Sequence, residues 1–444
     1  MLDAIGAGSI DDLFADIPAG VRLGRPLDLP AGQTEFEVFD HLAALAEKNI
    51  HADREISFLG AGMYDHYVPS LIDSIITRSE FLTPYTPYQP EVSQGGLQVM
   101  FEYQTAIAEL TGLDVSNASV YEGPSAMAAA GYLARLENGR SKFVVSTAVN
   151  PQYRETLKTN AHGYGAEVIE VPAVNGLTDP AALAEVIDDD TAAVFIQNPN
   201  FFGSIENVGE LTTTAKATGA LVVCVADPLT LGVLAPPGDF GVDICVGEGQ
   251  TLGNRLDFGG PSFGFFAATK KLIRRMPGRI AGETTDVDGR RGWVLTLQTR
   301  EQHIRREKAT SNICTSQALN ALAGVIYLSW LGRRGIVELG ELMLKRTAYA
   351  RETLSAIDGV ELLFDTPVFR EFAIKLDAPV DAVLDQLALD GINGGYKLGI
   401  DYPEYENGVL LAITEKRSKE QIDLLARSLA SAVAATNSSV GAGA

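Results

Sequence analysis

Three short segments of this chain hold residue types that could do chemistry. Asp227 ends the apolar run LVVCVA and precedes Pro228. An acid in that place can pair with a cation, or it can cap a turn. Glu122-Gly123-Pro124-Ser125-Ala126 lies between the short run ASVY and the helical AMAAAGYLARL. A glycine and a hydroxyl at a helix start suit an anion. Against that, Pro124 lacks an N–H, Glu122 repels negative charge, and Ser125 can serve as a plain N-cap. The third segment is Gly247-Glu248-Gly249-Gln250-Thr251, the turn after DICV. Its Gln250 has an amide nitrogen that is not nucleophilic. The next lysines, Lys270 and Lys271, follow the run GFFAAT and are expected to open a basic helix.

These residues need elements to hold them. Short apolar runs at Lys142–Ser146, Glu167–Val171, Ala192–Ile196, Leu221–Ala226, Asp243–Val246 and Gly264–Ala268 are too short and β-branched for helices. Continuous apolarity predicts strands covered on both faces, hence an α/β lobe with a mainly parallel sheet. Ligands in such sheets bind beyond the carboxyl ends of the strands, where Asp227 and Gln250 stand. A long helical stretch, Gln317–Ile357, leads to a smaller α+β lobe. Its strands are expected at Val360–Phe364, Glu371–Leu376 and Val409–Thr414, and its helices at Val380–Asp390 and Ser418–Ala435. Ser418 and Gln421 make a capping box. The expected division is an N-terminal arm (1–60), a large lobe (61–330), a small lobe (331–437) and a flexible tail (438–444). Within the arm, Asp11–Ile17 and Glu35–Lys48 have helical period, and the Pro/Gly-rich stretch between them reads as extended. Such an arm lacks a core and must pack on another lobe or another chain.

Composition narrows the function. With 57 acidic against 35 basic residues the net charge is −22, which argues against nucleic acid as ligand. No apolar run reaches the roughly 20 residues that span a membrane, and the N-terminus does not read as a signal peptide. Cys224, Cys245 and Cys314 form no CxxC pair, and two lie in apolar runs, as in reduced cytoplasmic proteins. The five histidines show no metal-ligand spacing.

The order of lobes is similar to the aminotransferase-like fold of pyridoxal phosphate enzymes (fold type I). That chemistry needs a lysine for the imine, an acid for the pyridinium nitrogen, a helix N-terminus for the phosphate and a planar group on the ring. The resemblance puts the acid at Asp227, the phosphate cup at Gly123–Ser125, and Gln250 in the lysine's place. Five stretches resemble one family more closely: Met63–Leu113, QNPNFFG (Gln197–Gly203), GGPSFGFFA (Gly259–Ala267), Met276–Thr315 with REQHIRREKATSNICT, and GGYKLGIDYP (Gly394–Pro403). They are similar to the P-protein of the glycine cleavage system, and are spread along the chain from residue 63 to residue 403.

In that family the protein can be split into two homologous chains, only the second carrying the cofactor lysine. The resemblance therefore implies the first chain, with pyridoxal phosphate bound covalently by its partner. It implies glycine as substrate, transfer of the aminomethyl group to the lipoyl arm of the H-protein, and an α2β2 assembly. The chain departs from the family in the cup, where Glu122-Gly123-Pro124-Ser125 replaces an acid-Gly-Ala-Thr pattern. The implied shared-site or interface residues are Tyr85, Tyr88, Gln89 and Glu91 in the Pro-rich loop Pro84–Gly96, with Ser125, Asn198, Asp227, Thr310, Ser311 and Asn312. The bland alternatives are a surface loop for the first group, an N-cap for Thr310–Asn312, and a solvated charged face for Arg300, Arg305 and Arg306 around His303. Two other functions stay open: an autonomous pyridoxal phosphate enzyme using Lys270, and a purely structural subunit.

Overall fold

The computed structural model describes residues 1–442, with backbone only from 438 onward. Two compact units make up the chain, Met1–His51 and Ala52–Ala444. The first holds one substantial helix, Glu35–Ala46, closed by a capping box between Thr34 and Glu37. A single 3-10 turn, Asp11–Phe14, stands where a helix was expected over Asp11–Ile17. No residue from 1 to 51 is buried.

The second unit is built on a seven-stranded sheet. Its strands run in the order Val115–Ser116, Gly264–Ala268, Ile244–Glu248, Leu221–Ala226, Thr191–Asn198, Lys142–Ser146, Glu167–Val171. Gly264–Ala268 is antiparallel to both neighbours, and the other pairs are parallel. The apolar runs are explained by burial on two sides. Phe143, Val145, Val223 and Val225 point into one core with helices Gly123–Asn138 and Pro151–Gly163. Val144, Val222 and Cys224 point into the opposite core with Leu211 of the Val208–Lys216 helix. Alternate residues of one strand thus serve different cores, so neither position can be polar.

The helix Ala318–Ser355 leaves this layer and turns at Gly332, whose φ of 61° and ψ of −179° suit only glycine. It leads to a four-stranded antiparallel sheet in the order Val360–Leu362, Glu371–Leu376, Gly408–Ala412, Tyr396–Lys397. Phe372, Ile374, Val409 and Leu411 pack there against the helices Val380–Leu389 and Lys419–Ala442. The Ser418 and Gln421 capping box is formed in both directions, at 3.0 and 3.3 Å.

Several expectations are corrected. Ile56–Ser57 pairs in parallel with Ile392–Asn393, and Phe58 enters the small-lobe core, so the end of the expected arm belongs to the small lobe. Lys270–Leu272 is a 3-10 turn, too short to be the expected basic helix. The last helix runs to Ala442 through most of the expected tail; Gly443 and Ala444 lie outside the described residues. The hairpin of Ile280–Thr285 with Arg291–Thr296 was not foreseen.

Candidate functional site

Asp227 and Gln250 do stand at the carboxyl edge of the parallel strands, but each is already engaged. Asp227 ends the Leu221–Ala226 strand and forms an ion pair with Arg370, whose side chain is 2% exposed. The contact is ionic, with no directed hydrogen bond at that guanidinium nitrogen. Arg370 Nη1 also meets His66 Nε2 at 2.5 Å. Its guanidinium carbon lies 3.5 Å from the centroid of the Tyr64 ring, a cation–π contact. The Tyr64 hydroxyl donates to Glu371 at 2.6 Å, and the other Glu371 oxygen accepts the Ala61 N–H at 2.8 Å. Burial pushes Glu371 up to about 7, against the downward pull of the Tyr64 bond and the Arg370 charge.

Gln250 is buried and clasps the Tyr64 backbone from both sides. Its Oε1 accepts the Tyr64 N–H at 3.0 Å, and its Nε2 donates to Tyr64 O at 3.0 Å and to Asn254 O at 2.9 Å. Beside it, Glu248 accepts from Gly123 N at 3.0 Å, Gln250 N at 3.1 Å and Ser262 Oγ at 2.5 Å. Burial raises Glu248, while these donors lower it. The neighbouring helix starts at Gly123 with Glu122 as its N-cap residue, so Ser125 is not the cap. Its hydroxyl is hydrogen-bonded to the Glu122 carboxylate instead.

The Pro-rich loop reaches the His303 turn, while Thr310–Asn312 line a cleft of their own with Ser125. Tyr88 packs edge-on against His303 with centroids 5.4 Å apart, and Arg279 lies over the Tyr88 ring. Tyr85, Gln89 and Glu91 are exposed on the same loop. Ser125, Thr310, Ser311 and Asn312 line one cleft of about 390 Å³, with Tyr121, Tyr132 and Arg306. The expected N-cap role of Thr310–Asn312 is wrong, because the long helix begins only at Ala318, behind Gln317. Arg300 is not on a solvated face. It is buried and holds the Met276 and Gly278 carbonyls, while Arg305 and Arg306 are exposed. Asn198 is away from this cleft, and its Oδ1 accepts the Glu206 N–H at 2.9 Å.

Lys270 stands at the far edge of the sheet. Gly264 pairs with Glu248 and Ala268 with Ile244, so the strand carries the chain roughly 15 Å from the Gln250 edge before Lys270 is reached. There its N–H is taken by Asp114. Arg370, Glu371, Tyr64 and His66 were missed by sequence reasoning; no spacing ties positions 300 residues apart. Glu248 had a local signal, since it sits two residues before Gln250.

A model of the glycine cleavage system P-protein matches residues 1–429. The chain belongs to the glycine cleavage system P-protein family. Probable glycine dehydrogenase (decarboxylating) subunit 1 of Moorella thermoacetica is 52% identical over 96% of this chain and 95% of its own length. The protein of the same name from Geobacillus kaustophilus is 52% identical over 95% and 94%. A crystal structure of glycine decarboxylase (P-protein) in inhibitor-bound form superposes with a TM-score of 0.91 at 44% identity, covering 97% of both chains. Lactobacillus brevis glutamate decarboxylase, at 13% identity and a TM-score of 0.70 over 94% and 96% of the chains, shares the fold alone. The architecture is the aminotransferase-like fold type I of pyridoxal phosphate enzymes, with a large, mostly parallel sheet and a smaller C-terminal lobe. Within this P-protein chain the residues do not fit that cofactor: no lysine stands at 250, Asp227 is paired with Arg370, and Glu248 holds the Gly123 N–H. No described helix is long and apolar enough to cross a membrane. Among the described residues no group of His, Cys, Asp or Glu is placed to hold a metal.

Proposed function

We propose that this chain is the non-anchoring subunit of glycine decarboxylase. With a second chain that binds pyridoxal phosphate covalently, it forms the enzyme that decarboxylates glycine and passes the aminomethyl group to the lipoyl arm of the H-protein. The cofactor supplies an electron sink on that second chain. The observation that carries this reading is Gln250, whose amide is taken up by Tyr64 and Asn254 where an imine-forming lysine would be required. The work of this chain is then to complete its partner's pocket. The Tyr88 loop and the Thr310–Asn312 edge are the surfaces offered for it, held by the contact of Tyr88 with His303 and by the Gln302 bond to Asn312 O at 2.9 Å. A two-fold α2β2 assembly suits such a pair of chains. The cytoplasm is the compartment this reading assigns.

The test is reconstitution. The chain alone should release no carbon dioxide from glycine and show no borohydride-trappable imine, and activity should appear on adding the second chain. In the reconstituted complex, Asn312→Ala or Tyr88→Ala should lower kcat at least tenfold with assembly intact. Full activity in both variants would leave the chain a structural partner only.

A further inference from the structure

A pocket that has lost its ligand leaves buried donors and charges exposed to no partner, and each costs stability unless it is paired. Three separate groups in this chain solve that problem in the same way. The Gly123 N–H, first of the orphan donors of the 16-residue helix Gly123–Asn138, is taken by Glu248 at 3.0 Å. Gly123 has no spare room beside it. A Cβ there would fall 1.8 Å from the Tyr153 hydroxyl and 3.0 Å from Glu248 N. Asp227 faces Arg370, which is itself stacked on Tyr64 and bonded to His66. Gln250 holds Tyr64 by its backbone. Gln250 N also donates to Glu248 at 3.1 Å, and Tyr64 links Gln250 to Arg370, so the three groups form one connected cluster.

We infer that the cofactor seat of this chain is filled by the chain itself, with Glu248 in the phosphate's place, Arg370 as the cation facing Asp227, and Gln250 in the lysine's place. The inference rests on the reading that this is the non-anchoring chain, and it adds a consequence: a lysine at 250 does not by itself make a site. Asp227 would still be neutralised and the Gly123 N–H would still be taken by Glu248.

The test uses the full chain, with inorganic phosphate and pyridoxal phosphate as probes at constant ionic strength. The thermal midpoint of the wild type should not respond to low millimolar phosphate. Glu248→Ala vacates the seat at Gly123, so its midpoint should fall by a few degrees and be partly restored by phosphate. Glu248→Gln keeps the volume and should fold without responding. Gln250→Lys, treated with pyridoxal phosphate and borohydride, should carry no pyridoxyl group at residue 250 on peptide mapping. Three results would each overturn the inference: a phosphate-raised midpoint in the wild type, a folded Glu248→Ala that ignores phosphate, or labelling at 250 in the single lysine variant. None of these readouts uses the second chain. An active reconstituted enzyme whose wild-type subunit responds to phosphate would therefore sink this inference and leave the proposed function standing.

Discussion

Arg370 gathers side chains from three parts of the chain: Asp227 at the end of a large-sheet strand, Tyr64 and His66 on the segment before it, and Glu371 beside it through Tyr64. Removing one partner of a buried ion pair leaves the other uncompensated, so Arg370→Met should cost about 3–5 kcal/mol in denaturant unfolding. Arg370→Met with Asp227→Asn should cost clearly less than the sum of the two single changes; a strictly additive double variant would show that the pair is not coupled. The same cluster gives opposite pH dependences. Glu371, raised from 4.5 to about 7, binds more protons folded than unfolded between those values, so its contribution falls as pH rises from 4.5 to 7. Burial works against ionisation of Glu415 as well, but the charge and bond of His66 and the Tyr67 N–H outweigh it and bring it down to about 2. That stabilisation is present above 4.5 and is lost as pH falls from there towards 2. Unfolding free energy should therefore decline at both ends, with Glu371→Gln flattening the upper arm and Glu415→Gln the lower, each by on the order of 1–3 kcal/mol. An upper arm unchanged by Glu371→Gln would remove that carboxyl as its cause.

At the scale of elements, the ends of helices matter more than their middles. The Ser418–Gln421 box satisfies two donors at the start of Lys419–Ala442. Ser418→Ala should lower stability by about 1 kcal/mol, measured as a shift in denaturant midpoint at unchanged slope. The helix Gly123–Asn138 shows a different constraint. Gly123 has no unusual φ to protect; it is glycine because Tyr153 and Glu248 close over it. Gly123→Ala should be more damaging than Ser418→Ala, since the collision involves a buried ring and backbone rather than a flexible tip. Ser125, by contrast, looked like a cap in sequence and is bonded to Glu122, because the helix begins two residues before it.

At the scale of the whole molecule, the first unit is the part without a core of its own. Phe36 and Phe39 are 73% and 71% exposed on the Glu35–Ala46 helix, and no residue from 1 to 51 is buried. A unit of that size without a core is not stable by burial of its own side chains. Deleting residues 1–51 should weaken assembly with the second chain, read as a loss of the heteromeric species in analytical ultracentrifugation. An unchanged distribution of species would place this segment outside the interface.

The central strands and the two-lobe order were legible in the sequence because strands such as Lys142–Ser146 and Leu221–Ala226 are buried on both faces, whereas the edge strand Glu167–Val171 exposes Glu167 and Glu170. Runs such as LVVCVA and KFVVS signal their own burial, and the turn residues after them mark the sheet edge where Asp227 and Gln250 stand. The family resemblance was equally local, carried by segments such as REQHIRREKATSNICT. What the sequence could not supply was the partner of each edge residue. Asp227 read as an acid for a ring nitrogen or as a turn cap, and only the fold brought Arg370 to it across 143 positions. Arg300 read as solvent-facing until the turn at Gln298–Arg300 folded it onto the carbonyls of Met276 and Gly278. Burial along a strand is written in adjacent residues, whereas pairing across the molecule depends on chain closure that no local spacing encodes. The lysine missing at 250 was therefore visible in the sequence, and the cluster that fills its place was decided only in three dimensions.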